Sequence, residues 1–191
     1  KGKNCGTFGN FAALSFNGNK IITTSGGGAL VCNTEKSKNK AIFLATQARD
    51  NAPHYQHSEI GYNYRMSNIV AGIGRGQMEV LSKHISLRRD MNQFYKDIFK
   101  DIDGVTVFEE PDENYYSNHW LSCITVNDIK APFSREKLRL TLLEANIESR
   151  PLWKPMHLQP VFKECGDFGT DISENLFDTG LCFPSGSNLT D

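Results

Sequence analysis

One lysine, Lys20, stands where its amine could do covalent chemistry. It follows an Asn-Gly-Asn corner at 17–19, flanked by two apolar, β-prone runs at 12–16 and 21–24, a pattern that predicts strand, tight turn and strand. A neutral lysine amine is a nucleophile, and Schiff-base formation with an aldehyde is its common covalent use. The glycines at 26–28 carry no Cβ and so would let a bulky cofactor come close to Lys20. The alternative is a surface hairpin with a solvated lysine.

Four motifs resemble, in chain order, those of one enzyme family. The first runs from Ser15 through Lys20 to Gly28 and reads SFNGNKIITTSGGG. The others are Gly61–Asn68 (GYNYRMSN), Arg150–His157 (RPLWKPMH) and Leu181–Gly186 (LCFPSG). Together they resemble the pyridoxal-phosphate sugar aminotransferases of the DegT/DnrJ/EryC1/StrS family.

Within that family the chain looks most like the 4-aminotransferases of the bacillosamine pathway. The residues that carry this narrower likeness are Asn17–Gly28, Thr46–Arg49 and Ser117–Ser122. The resemblance implies transfer of an amino group from glutamate to C4 of a UDP-linked 4-keto-6-deoxy-N-acetylhexosamine, for surface polysaccharide biosynthesis, with pyridoxal 5'-phosphate as cofactor. Two alternatives stay open: a transaminase for a dTDP or GDP sugar, and a non-catalytic module that dimerises without cofactor.

The resemblance also implies roles for single residues. Lys20 matches the lysine that holds the cofactor, which argues against the family's dehydratase branch, where a histidine replaces it. Ser15 matches a serine that contacts the cofactor phosphate. Asn63 matches an asparagine that reaches the phosphate of the neighbouring subunit's cofactor, so a homodimer with a shared active site is expected. His157 matches a residue facing the nucleotide sugar, with a neutral structural histidine as the alternative.

Two further groups of side chains allow more than one interpretation. Arg65 could pair with an anionic substrate group through its two-pronged guanidinium, or it could tie a loop to a helix end. His54, His57 and Glu59 have the residue types of a zinc site, but nothing in the sequence aims them at one point. We therefore expect solvated loop histidines and no metal.

Composition and charge exclude several classes of function. The 191 residues carry 21 basic and 22 acidic side chains, so there is no basic field for nucleic acid and no polybasic membrane signal. No apolar run approaches the ~18 residues of a membrane span, and a soluble cytoplasmic protein is expected. Five scattered cysteines indicate reduced, mostly buried thiols rather than a disulfide framework.

Periodicity and breaker residues predict the elements that must position these groups. Helices are expected at 35–46, from Ser67 to Leu81, at 82–100, after Ser134 and at 172–177, and extended runs at 105–108, 119–126, 147–150 and 181–184. The predicted fold is α/β, the C-terminal part of a fold-type-I transferase: residues 1–103 end the large domain with its linking helix, and 104–191 form a small α+β domain. Both chain ends look cut, so we expect the residues that hold the pyridine ring to precede Lys1 and this piece alone to be inactive.

Overall fold

The computed structural model describes residues 2–189, and the chain divides into two compact units between Ser82 and Lys83. In the first unit, β1 (Phe11–Ser15) pairs antiparallel with β2 (Gly28–Cys32), so that Ser15 lies opposite Gly28. Two helices follow, α1 (Glu35–Ala45) and α2 (Asn68–Glu79).

Both helices of the first unit begin where the sequence predicts. The Thr34 hydroxyl accepts the Ser37 N–H at 3.1 Å, and the Ser67 hydroxyl accepts the Val70 N–H at 3.3 Å. These side chains satisfy backbone donors that have no partner within the helix. The local capping residues therefore set the start of each helix.

The strand predicted at 21–24 is wrong. Those residues form part of the connection between β1 and β2, because β1 takes its ladder partner from residues 28–32 instead. Ile22 and Thr24 are buried inside this connection, so the apolar character of the run reflects packing within a loop.

The second unit is an α+β arrangement, as predicted. Its sheet has the order β3-β4-β6-β5 with antiparallel neighbours. The strands are β3 (Val105–Val107), β4 (Ser122–Val126), β5 (Arg150–Pro151) and β6 (Gly180–Phe183). The helices are α3 (Leu81–Phe99), which starts two residues before the division, α4 (Arg135–Glu144) and α5 (Ile172–Thr179). Two short 3-10 helices, Met156–Leu158 and Pro160–Phe162, stiffen the loop between β5 and α5.

One face of this sheet forms the core of the second unit. The buried core residues are Phe99, Ile124, Val126, Leu181 and Phe183. The apolar stripe of α3 packs on them, with the rings of Tyr95 and Phe99 stacked on Phe183 at centroid distances of 4.8 and 5.6 Å. Because strand side chains alternate between faces, Cys123 and Thr125 of β4 and Cys182 of β6 point to the opposite face.

β4 starts three residues later than the extended run predicted at 119–126. His119 has a left-handed φ of 44°, and the Ser117 hydroxyl and Asn118 carboxamide accept the N–H groups of His119 and Trp120. These local side-chain bonds compete with strand pairing. The backbone therefore turns before Ser122.

The two compact units and the predicted domains are different partitions of the chain. The helix α3 packs on the second unit through Tyr95 and Phe99, whereas the sequence assigns it to domain 1–103. The domain boundary near residue 103 stays a prediction. Within residues 2–189, no helix has the length and apolar character needed to cross a membrane.

Candidate cofactor site

Lys20 and Ser15 lie at the two ends of one tight turn. The Lys20 N–H donates to the Asn17 carbonyl at 3.0 Å, and the Asn17 N–H donates to the Ser15 hydroxyl at 3.4 Å. The turn begins where β1 ends, so the strand fixes its first residue. Ser15 is exposed and Lys20 is half-buried. The turn thus links the Ser15 hydroxyl to the main chain that leads into Lys20. That the hydroxyl and the Lys20 amine act on one ligand stays a prediction.

The chain after Lys20 is tied back to Phe16. The Phe16 carbonyl accepts the Thr24 N–H at 2.9 Å and the Thr23 hydroxyl at 3.1 Å, while the Phe16 N–H donates to the Gly27 carbonyl at 3.0 Å. Thr24, which is only 2% exposed, anchors the middle of the loop. Backbone bonds therefore determine the path of the lysine loop, defined here as residues 16–27.

At two of the three glycines that follow Lys20, other atoms of this chain lie close to where a Cβ would be. A Cβ on Gly27 would lie 2.8 Å from Met66 Cε, and one on Gly28 would lie 2.3 Å from the Leu14 carbonyl oxygen. Gly27 also has a left-handed φ of 98°, which favours glycine. Only around Gly26, of these three, is the space within 4 Å empty. The prediction that all three glycines admit a cofactor is therefore wrong at 27 and 28, where protein atoms fill the space.

The helix α2 supports the lysine loop from behind. The Gln77 side-chain oxygen accepts the Thr23 N–H at 3.3 Å, and a Cβ on Gly74 would come within 3.0 Å of Thr24 Cγ2. The sequence indicates a smooth glycine side on this helix, and at Gly74 the lysine loop lies against it. Gln77 was not found by sequence reasoning, because its role depends on a contact 54 residues away along the chain.

Asn63 lies in an extended segment that is fixed to the end of α1. It pairs with Thr46, while its neighbours Tyr62 and Tyr64 donate their N–H groups to Leu44 and Ala45 at 2.7 and 3.0 Å. The exposed Asn63 side chain borders an open cleft of about 600 Å³. Its main chain is held firmly, and its carboxamide faces solvent.

The polar stretch before Asn63 is an organised loop. The Asp50 carboxylate accepts hydrogen bonds from the Ser58 hydroxyl at 2.7 Å and the Gln56 side chain at 3.0 Å, and these bonds lower its pKa. Gly61 closes the loop, because a Cβ there would lie 2.2 Å from the Ala48 nitrogen. The hydrogen bonds of Asp50 and the close packing of Gly61 on Ala48 thus hold the loop that leads to Asn63 in place.

Arg65 is exposed, two residues after Asn63. Within residues 2–189 its guanidinium makes no hydrogen bond or ion pair with another side chain, so the structure provides no tie from Arg65 to a helix end. The next residue, Met66, covers Gly27. The segment 63–66 therefore starts at Asn63 and reaches the lysine loop through Met66.

The three side chains considered for zinc bind separate partners. His54 Nε2 lies 3.2 Å from Gln56 Oε1, His57 Nδ1 lies 2.8 Å from the Gln47 carbonyl, and Glu59 forms an ion pair with Lys40. In the described part of the chain, no three His, Cys, Asp or Glu residues group as metal ligands.

His157 lies in the second unit, half-buried in a 3-10 helix. Its Nε2 lies 2.9 Å from the Glu174 carboxylate in the first turn of α5. The imidazole borders a cavity of about 390 Å³ that Cys165 and Asp167 also line. Sequence reasoning missed Glu174, although an acidic residue in the first turn of a predicted helix was a visible signal.

A polar cluster in the second unit, with two half-buried members and a buried His119, was also missed. Glu110 lies 2.7 Å from Arg89 and 3.3 Å from His119. The hydrogen bond from Arg89, followed by that from the Ser117 N–H, lowers the pKa of Glu110 to about 2, and burial lowers the pKa of His119. The Arg89 guanidinium also lies over the Tyr116 ring at 4.5 Å. The cluster fixes the loop before β4.

The donor groups of the lysine turn, together with that of Asn63 on its separate segment, are the types that suit a ligand carrying an aldehyde and a phosphate. A primary amine can bond an aldehyde carbon, and hydroxyl and carboxamide donors can bind phosphate oxygens. Lys20, Ser15 and Asn63 supply these groups, and Gly26 leaves open space beside the loop. The described residues therefore fit pyridoxal phosphate in part.

Curated relatives extend this picture over the whole chain. The sequence is 50% identical over 196 residues to EpsN of Bacillus subtilis, described as a candidate pyridoxal phosphate-dependent aminotransferase, with 100% of this chain and 49% of EpsN covered. It is 34% identical to the GDP-perosamine synthase of Escherichia coli O157:H7, with 100% and 50% covered. It is 25% identical to the UDP-4-amino-4,6-dideoxy-N-acetyl-beta-L-altrosamine transaminase of Campylobacter jejuni, with 96% and 49% covered. The chain spans about half the length of the curated relatives it matches.

Solved structures share the fold. The aminotransferase TlmJ from Streptoalloteichus hindustanus matches with a TM-score of 0.89 at 21% identity, and 100% of this chain and 50% of TlmJ are covered. A candidate sugar aminotransferase from Streptococcus pneumoniae, Spr1654, in its PLP form matches with a TM-score of 0.87 at 22% identity, covering 100% and 50%. The predicted fold class is confirmed.

The model of one protein family matches residues 1–191. That family is the one indicated by the four motifs, and its aminotransferases depend on pyridoxal phosphate, which confirms the predicted cofactor at the level of the family. The chain belongs to the DegT/DnrJ/EryC1/StrS aminotransferase family.

Proposed function

We propose that this chain is the lysine-bearing part of an aminotransferase that transfers an amino group from glutamate to C4 of a UDP-linked 4-keto-6-deoxy-N-acetylhexosamine. The observation that carries this proposal is the position of Lys20 at the end of a backbone-bonded turn whose first residue, Asn17, donates its N–H to the Ser15 hydroxyl. An exposed, mobile lysine would bind an aldehyde without defining the position of a substrate carbon. A half-buried amine on a backbone-fixed turn meets that requirement.

Lys20 has two tasks in this proposal. Its amine binds the aldehyde carbon of pyridoxal phosphate, and when the amino donor displaces it, the freed amine moves a proton to and from the substrate carbon as a general base and acid. When bound, the cofactor supplies an electron sink for the bond that is broken at that carbon. The backbone bonds of the lysine loop hold the amine within reach through both tasks.

Ser15 and Asn63 bind the phosphate in this proposal. Ser15 donates its hydroxyl from the same turn as Lys20, and Asn63 donates its carboxamide to the phosphate held by the neighbouring subunit. The exposed side chain of Asn63 on a fixed main chain supports a contact to a second chain. The active site would then be shared within a homodimer.

Arg65 and His157 bind the substrate in this proposal. The exposed guanidinium of Arg65 can form a bidentate pair with a phosphate or carboxylate. His157 takes its orientation from Glu174, whose carboxylate lies 2.9 Å from Nε2. In the neutral ring, a hydrogen bond donated by Nε2–H to this carboxylate leaves Nδ1 as the acceptor.

The sugar nucleotide has a second candidate. The 34% identity to a GDP-perosamine synthase exceeds the 25% identity to a transaminase named for a UDP sugar, which favours a GDP-linked keto sugar as the alternative. The sequence motifs at residues 17–28, 46–49 and 117–122 favour the UDP-linked sugar. A role in polysaccharide biosynthesis is compatible with either the UDP-linked or the GDP-linked sugar as substrate.

The first experiment tests Lys20. The full-length protein, mixed with pyridoxal phosphate, should show the visible absorption of lysine-bound cofactor, and Lys20→Ala should abolish it and lower transamination by at least about 10²-fold. Lys36→Ala, on the exposed face of α1, is the matched control and should keep the band. Survival of the band in Lys20→Ala protein would exclude Lys20 as the cofactor lysine.

The second experiment tests the substrate. The full-length protein is incubated with glutamate and UDP-, GDP- and dTDP-linked 4-keto-6-deoxy sugars, and aminated products are measured by mass spectrometry. Amination of the UDP sugar at the highest kcat/KM supports the proposal, and preference for the GDP sugar supports the alternative. Absence of amination with every sugar, in protein that binds no cofactor, would favour the non-catalytic module.

A further inference from the structure

Two cysteines of the second unit lie side by side on neighbouring strands. Cys123 in β4 is directly opposite Cys182 in β6, and their Sγ atoms are 3.3 Å apart. Their strand neighbours Ile124 and Leu181 point into the core. Because side chains alternate along a strand, both thiols lie on the face away from the core, where Cys123 is half-buried and Cys182 is 8% exposed.

The backbone at this position suits a covalent bond between the two sulfurs. Directly opposed residues of an antiparallel pair have Cα atoms about 4.5–5.5 Å apart, within the range of about 4.4–6.8 Å seen in disulfides. The sulfurs must approach from 3.3 Å to about 2.05 Å. Rotation of the two side chains can supply that change while the strands stay paired.

The two thiols are chemically unequal. The contact with Cys182 and then burial raise the pKa of Cys123, whereas the contact with Cys123 lowers the pKa of Cys182. These opposite directions favour Cys182 as the sulfur that becomes a thiolate first. Arg150 of β5 lies opposite Cys182 on its other side, so a cationic side chain shares this face with it.

We propose that Cys123 and Cys182 form a redox modification site, a cross-strand dithiol that hydrogen peroxide oxidises to a disulfide. The Cys182 thiolate attacks one peroxide oxygen, the O–O bond breaks and one water leaves, which yields a sulfenic acid at Cys182. The Cys123 sulfur then attacks Cys182 Sγ and displaces the hydroxyl group as a second water. The pair loses two protons and two electrons, and one peroxide is reduced to two waters.

The consequence of oxidation lies in the chain that the bond encloses. The segment from Cys123 to Cys182 contains α4, Trp153, His157 and α5. A cross-link between β4 and β6 limits the freedom of this whole segment in the unfolded chain. The oxidised protein should therefore unfold at a higher temperature than the reduced protein.

The test uses the full-length protein, reduced and then treated with stoichiometric hydrogen peroxide. Non-reducing peptide mapping should find the Cys123 and Cys182 peptides joined, with the loss of two hydrogens in mass, and dithiothreitol should reverse it. Cys123→Ser should prevent the link and leave a sulfenic acid at Cys182 that a dimedone probe labels. Cys165→Ser, which removes an exposed thiol elsewhere, should leave the link unchanged.

Wild-type mapping alone decides the proposal even if a variant fails to fold. Recovery of Cys123 and Cys182 as separate free thiols, under conditions where the exposed Cys5 and Cys165 are oxidised, would overturn it. So would a link between Cys182 and any cysteine other than Cys123. A melting temperature that is equal in reduced and oxidised protein would overturn the proposed effect on stability.

Discussion

Arg89 and Glu110 form a 2.7 Å ion pair that faces a buried imidazole, since His119 lies 3.3 Å from the same carboxylate. The pKa of Glu110 is lowered to about 2 by Arg89, and the pKa of His119 is lowered by burial. The unfolded chain therefore binds protons at these sites more readily than the folded chain. Acidification should destabilise the second unit.

The pH dependence should have two parts. As the pH falls below about 6.5, His119 is protonated in the unfolded chain before it is protonated in the folded chain. Below about pH 4.5 the same holds for Glu110. The Glu110 contribution is fully present above its unfolded pKa and is lost as the pH falls towards 2, by about 1–2 kcal/mol after allowance for solvent screening. Urea unfolding between pH 7 and pH 2 measures both parts.

Glu110→Gln should remove the loss of unfolding free energy that occurs below about pH 4.5. The amide keeps an acceptor for Ser117 but loses the ion pair with Arg89, so we expect a loss of about 1–3 kcal/mol at pH 7 and a flatter profile below pH 4.5. Glu109→Gln is the matched control, because the Glu109 carboxylate, 3.2 Å from Lys96, is 58% exposed against 18% for Glu110. An ion pair with so exposed a carboxylate is worth less than about 1 kcal/mol. Equal losses in both variants would contradict the role of Glu110.

Gly74 should control the position of the lysine loop. A valine there would push on Thr24, because even a Cβ comes within 3.0 Å of Cγ2, and overpacking of this kind costs about 1–3 kcal/mol. We expect Gly74→Val to weaken cofactor binding as well as stability. Gly76→Val is the control in the same helix, since nothing lies within 4 Å of its Cβ position. Cofactor absorbance that is unchanged in Gly74→Val protein would show that α2 does not support Lys20.

Gly61 should be essential to the loop that precedes Asn63. A Cβ at this position would lie 2.2 Å from main-chain atoms of Gln47 and Ala48, so Gly61→Ala should destabilise the protein by about 2–4 kcal/mol. Gly72→Ala, where the space is open, should stabilise it by up to about 1 kcal/mol. Thermal unfolding of the two variants gives the comparison, and similar melting temperatures would contradict it.

Trp120 and Trp153 should contribute to nucleotide binding if the proposed function is correct. Their ring centroids are 6.2 Å apart, and Trp153 is 66% exposed. Stacking of a base on an aromatic ring contributes about 1–3 kcal/mol, so Trp153→Ala should raise KM for the nucleotide sugar by about 5- to 100-fold with little change in kcat. Phe168→Ala, which removes another exposed aromatic ring of the second unit, should leave KM unchanged. A loss confined to kcat would contradict the stacking role.

The helices could be predicted from the sequence because their signals are local. The capping hydroxyls of Thr34, Ser67 and Ser134 each lie within three residues of the N–H group they accept. The tight turn at residues 17–20 was also predictable, since its signal, Asn-Gly-Asn, is local. The amphipathic spacing of α3 predicted the stripe that carries Tyr95 and Phe99.

The remaining features depend on pairing across long stretches of chain. Residues 21–24 and 28–32 are both apolar and β-prone, and only the burial of Ile22 and Thr24 decides which run pairs with β1. The contacts of Glu110 with His119 and of His157 with Glu174 require loops to fold back. The thiol pair requires the register of β4 on β6, which no single segment specifies.

Phe16 forms two main-chain hydrogen bonds within the lysine loop: its N–H donates to the Gly27 carbonyl, and its carbonyl accepts the Thr24 N–H. These two anchors matter for protein engineering. Main-chain atoms form both anchors, so the number of residues between them determines where the Lys20 amine lies. Adding or removing one residue between the anchors would shift the position of the Lys20 amine. A mutant library of this loop should therefore vary residue types and keep the loop length constant.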